Sequence, residues 1–281
     1  MKSNAWVRII GLILPYIIII GLSQFFGYHL AQVPLDKPDY VLSTWQQLII
    51  SFFTFLGTTL LIWLFMKYVD KEKFSSTGLE LTNRWPDIWF GIGLGLGIMV
   101  LAIFSFIISG QITFYKMTFD ILELIYILLI FVFVAISEEL LFRGYILKNL
   151  MQSFNKYLAL FISAIIFSLM HGMNPNISTF NLFGLFTAGL ALGATYIYTQ
   201  NLWFPISFHF SWNFFQSLLG FNVSGRDIYS LLEIKIPNAN ISNGGQFGFE
   251  GSVFAPIIEL ILVFSVVYYY KKKKAIQYSD K

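Results

Sequence analysis

The sequence contains no cysteine, which excludes disulfide staples and thiolate metal sites. Charge is scarce as well. Asp, Glu, Lys and Arg make up 12% of the 281 residues, about half the ~25% usual for a soluble domain. Histidine occurs three times, at His29, His171 and His209. There is no internal repeat and no low-complexity tract. The net charge is only +3, and no nucleic-acid partner is expected.

What fills the chain is apolar. Hydrophobic residues are 57% of it. A bilayer-spanning helix needs about 20 apolar residues. Runs of roughly that kind fall near 8–28, 44–66, 88–109, 121–147, 157–172, 180–199, 202–219 and 253–270. The fifth and seventh are short, and charge interrupts the fourth. The expected fold is all-α: one polytopic membrane domain over 1–281 with about eight transmembrane helices, its partner the lipid bilayer. The first run follows the basic start "MKSNAWVR". No small-residue cleavage site of the A-x-A kind follows it, so it reads as an uncleaved span.

Lysine and arginine orient the spans. Eight spans with both termini inside place 14 of the 18 basic residues in inner segments; Lys37, Lys116, Arg226 and Lys235 fall outside. An odd number of spans would put "KKKK" (271–274) on the outer side. A multi-pass protein of a bacterial cell membrane with cytoplasmic termini is therefore expected. The third span opens with glycines at 91, 93, 95 and 97. Gly91/Gly95 and Gly93/Gly97 each offer a small face for close helix contact. The outer segment 220–252 is rich in Gly, Asn and Ser; it is long enough to lid a site, but reads rather as a passive connector. Asn-x-Ser sequons occur at Asn176, Asn222 and Asn240.

The polar residues inside the spans need a reason, because burying ionisable groups in lipid is costly. Glu138, Glu139 and Arg143 follow the run "LIYILLIFVFVA". His171 closes one span, and His209 stands four residues before Asn213 in another. At 1.5 Å per residue, Glu138, His171 and His209 lie roughly 15, 20 and 10 Å from the inner surface. That is one layer of the membrane. Glu139 and Arg143, at i and i+4, can pair, which leaves Glu138 about 100° away without that partner. A desolvated carboxylate has a raised affinity for protons and suits a general base. His209 and Asn213 project together and offer hydrogen-bond donors. Phe167, four residues before His171, shares its face and either walls the site or faces lipid.

Three functions fit these groups. A hydrolase would use a base for water, a proton donor for the leaving amine and donors for the oxyanion. A metal site would take Glu138, His171 and His209 as ligands to zinc or another divalent cation. Against it stand the missing H-E-x-x-H and two adjacent glutamates that cannot both point at one centre. A transporter or an immunity or binding protein would use the same buried cluster, but transporters usually show repeats and broken helices at midplane.

The motifs "EELLFR" (138–143), "FSLMH" (167–171) and "HFSWN" (209–213) resemble the CPBP family, the CAAX-processing and bacteriocin-processing intramembrane proteases also called Abi. The resemblance covers about 120–219, the expected catalytic core, with 1–119 and 253–281 as peripheral spans. It implies an eight-helix membrane endopeptidase of the glutamate type, without a cofactor, acting on peptide or protein substrates. It implies that Glu138 activates water with the help of His171, that His209 and Asn213 form the oxyanion site, and that Glu139, Arg143 and Phe167 support them.

Overall fold

The computed structural model describes residues 5–37 and 40–279. Lys2 and Lys281, counted in the basic asymmetry, lie outside them, and side chains beyond Lys273 are not described. The long helices are α1 (Ala5–Leu30), α2 (Thr44–Leu64), α3 (Trp85–Ile108), α4 (Ile121–Glu139), α5 (Lys156–Met170), α6 (Thr179–Ala194), α7 (Trp203–Leu218) and α8 (Phe254–Ser279). Two of them continue as π-helix, α2 through Phe65–Asp70 and α4 through Leu140–Leu147. Short polar side chains start several of them. Ser43, Asp120, Asn155 and Ser178 each accept from backbone N–H groups of the first turn, which would otherwise lack partners.

By length and composition six helical segments can cross a membrane. The remaining two helices, α5 and α7, have 15 and 16 residues. Both still run between the two ends of the bundle, as the connections show. At one end Arg8 pairs with Asp70 at 2.6 Å and donates to Gln152, Lys148 pairs with Glu72 at 2.6 Å, and Tyr196 donates to the Thr77 carbonyl. At the other end the connections 109–120, 171–178 and 219–253 meet. Strand β1 (Thr113–Met117) pairs antiparallel with β2 (Leu232–Lys235), and Asn243 donates to Gln111 at 3.1 Å. The first of these two ends is the lysine-rich one. Segment 220–252 is thus a structured cap, where the sequence reads as a loose connector. The all-α expectation holds apart from this two-stranded sheet.

The glycine question is decided by α7. A Cβ on Gly91 would stand 2.2 Å from Ser207 Oγ, and one on Gly95 2.6 Å from Ser211 Oγ, whereas Gly93 and Gly97 meet nothing within 4 Å. The Gly91/Gly95 face therefore lets α3 approach α7, the helix that carries His209 and Asn213.

The basic asymmetry predicts that the β1–β2 end faces outward. Asn240 is exposed there. In a microsomal expression system Asn240 is expected to be glycosylated and a sequon fused after Lys281 is not. The reverse pattern would invert the orientation.

Candidate active site

Glu138 and Glu139 sit where α4 turns into π-helix. A π turn inserts an extra residue and rotates the remainder of the helix, and such bulges recur at functional sites. Ser163 of α5 donates to the Phe142 carbonyl at 3.3 Å within this segment. Glu139 is fully buried. Its Oε1 accepts from Arg143 Nη1 at 2.8 Å, the i, i+4 pair expected from spacing. The same oxygen lies 2.8 Å from His209 Nδ1. Arg143 also donates through Nη2 to the Gly189 carbonyl at 3.0 Å, which ties α4 to α6. Its guanidinium carbon stands 4.7 Å over the Phe167 ring. Phe167 is 3% exposed and packs on His171, so it walls the site and does not face lipid.

Glu138 points the other way. Its Oε2 lies 3.6 Å from His171 Nε2 and 4.0 Å from His209 Nε2, and it has no hydrogen-bond partner among the described residues. The far side of each ring is occupied. His171 Nδ1 is 2.8 Å from the Phe167 carbonyl, which can only accept, so Nδ1 carries the proton. His209 Nδ1 likewise meets a carboxylate oxygen that accepts. In their neutral forms both rings therefore present a lone pair at Nε2 toward Glu138. Three acceptors facing one point need a donor between them, and water supplies two protons for such a place. Among the described residues no group of three or more His, Asp or Glu is arranged to hold a metal ion.

The cluster opens into a cavity of 470 Å³ that also reaches Asn213 on α7. All seven residues singled out from the sequence are brought to this one place. His29 is exposed at the end of α1 and takes no part.

Two further carboxyls line the cavity and were not found from sequence: Glu250 and Glu259. Glu259 is buried on α8 and accepts from Thr187 of α6. "APIIELIL" sets it in an apolar run, the same signal that marks Glu138. Glu250 comes from the cap segment, where a carboxyl attracts no notice. Ser224 Oγ donates to it at 2.7 Å and Gln216 Nε2 at 3.3 Å. Burial pushes its carboxyl above the usual range, against the Ser224 hydrogen bond. An acid with a raised folded-state pKa weakens the fold as pH rises through its unfolded value. Glu250→Gln is therefore expected to melt higher than the parent at pH 7 and to converge with it near pH 4. A melting-temperature series over pH checks this.

Residues 120–215 match the family model described as type II CAAX prenyl endopeptidase Rce1-like. This segment is Rce1-like. The match agrees with the resemblance of the three motifs to CPBP proteases, and the Rce1-like stretch contains every motif residue from Glu138 to Asn213. The Rce1-like family is one of proteases, which supports a peptidase in an integral, multi-pass membrane protein. No curated protein and no solved structure matches the chain. Glu250, Glu259 and helices α1 to α3 lie outside the matched stretch.

Proposed function

We propose that this protein is a glutamate-type intramembrane endopeptidase whose base is Glu138. The observation that carries the reading is the convergence of two imidazole Nε2 atoms on Glu138 Oε2, within 4.0 Å, at a cavity of about 470 Å³. Water held between Glu138 and His171 directs one O–H hydrogen bond to each. As its oxygen attacks the scissile carbonyl, Glu138 takes the proton and the carbonyl oxygen becomes an oxyanion. Asn213 donates an N–H to that oxyanion. His209, oriented through Nδ1 by Glu139 at 2.8 Å, borders the same place and completes the oxyanion site. Glu138 then passes its proton to the leaving amine, and the C–N bond breaks. Both termini lie on the lysine-rich, inner side in this reading.

The scheme uses no metal. Cleavage by the purified protein is expected to survive strong chelation, and elemental analysis to find no stoichiometric zinc. About one zinc per chain, lost together with activity on chelation, would instead assign Glu138, His171 and His209 as its ligands.

A further inference from the structure

We infer that the cavity is a binding groove for an extended, unmodified peptide that reaches Glu138 from the end of the bundle opposite the lysine-rich one. The cleavage of that peptide rests on the peptidase reading; its binding does not.

The lining carries the direction. Leu42, Asn174, Arg226 and Ile228, all from connections at the β1–β2 end, border the cavity. None of the residues 71–84, 151–155 or 200–202, which connect helices at the lysine-rich end, does. Beyond Glu138 the limit is apolar, formed by Leu141, Phe142 and Leu192. The cavity thus extends from the cluster toward the β1–β2 end and not toward the lysine-rich one.

The walls carry the chemistry. On α2 the residues bordering the cavity include Gln47, Ser51, Thr54 and Thr58. They stand at i, i+4, i+7 and i+11, one face of a helix. On α1 the same cavity meets Tyr16, Gln24 and Tyr28, again one face. Polar groups in a spanning segment are costly toward lipid and find their use toward a cavity. Gln47 donates to the Leu42 carbonyl and Thr54 to the Ile50 carbonyl. Ser51 and Thr58 make no hydrogen bond among the described residues, and Thr58 is only 2% exposed. A hydroxyl on a cavity wall without a protein partner is satisfied by a ligand that has donors and acceptors along its length.

An extended peptide has an N–H or C=O at every step and binds helices and strands through them. An isoprenoid chain has neither and would leave the Ser51 and Thr58 hydroxyls unpaired. From Gln47 to Thr58 the helix rises roughly 16 Å. At about 3.3 Å per residue, that length holds about five residues of extended chain.

The absence of cysteine supplies the test, because one introduced thiol is then the only one. Ser51→Cys reports the groove. Ser75→Cys, exposed in the turn Phe74–Thr77, reports the lysine-rich end. Both are placed in a Glu138→Gln background so that peptides are not consumed. Membrane vesicles of both orientations are treated with a bulky membrane-impermeant maleimide, alone or with a pool of unmodified decapeptides, or with the same pool ending in farnesylcysteine. Ser51→Cys is expected to react only from the side on which Ser75→Cys does not, and the unmodified pool to slow it at least tenfold. Reaction from the same side as Ser75→Cys, no protection, or protection by the farnesylated pool alone would overturn the groove. Protection by the unmodified pool, with no cleavage by the parent protein, would leave the groove standing and remove the peptidase reading.

Discussion

Replacing Glu138 by Gln is expected to abolish peptide cleavage while leaving the fold intact. Removal of a general base alone costs about 10²–10⁴ in rate. Gln keeps the shape but cannot take a proton from water. Glu138 holds no ion pair with Arg143, and its Oε2 has no hydrogen-bond partner among the described residues, so the fold loses little. The melting temperature is expected to stay or rise. Rates and melting curves of parent and Glu138→Gln in detergent measure both. Cleavage that survives the change would mean that Glu138 is not the base. A solute gradient dissipated by the parent, with no peptide ever cleaved, would favour a transporter.

Arg143→Ala is expected to have the opposite profile, with stability lost first. Arg143 is 1% exposed and holds Glu139, the Gly189 carbonyl and the Phe167 ring together. Removing one partner of a buried pair strands the other charge, at about 3–5 kcal/mol. The double change Glu139→Gln with Arg143→Gln removes both charges and is expected to recover part of that loss. Activity is not expected to return, because Glu139 Oε1 also meets His209 Nδ1 at 2.8 Å and orients that ring. A double variant as unstable as Arg143→Ala would place the stabilisation in contacts other than the ion pair. If instead Glu138→Gln unfolds the protein and Glu139→Gln is stable but inactive, the two carboxylates exchange roles.

The spans were legible because lipid imposes a length and a polarity on each segment. Glu139–Arg143 was legible because the pair lies on one helix, four residues apart. Its second contact, to His209, joins positions 70 residues apart, and no local spacing encodes it. The pairing of β1 with β2 is hidden for the same reason. The π segment Leu140–Leu147 leaves no mark in composition, since the same apolar residues suit an α-helix. The choice of Gly91/Gly95 over Gly93/Gly97 depends on where Ser207 and Ser211 arrive from α7. Glu250 was invisible because a carboxyl in a polar segment is ordinary until the fold carries it to the cavity.

Whether Glu138 activates water or attacks the peptide itself is decided by one single-turnover experiment. Purified protein in excess cleaves a peptide in water enriched in ¹⁸O, and mass spectrometry reads the new peptide carboxylate and the fragment containing Glu138. Water activation places ¹⁸O in the product in the first turnover and none in the protein. An unlabelled product with ¹⁸O in the Glu138 side chain would contradict it.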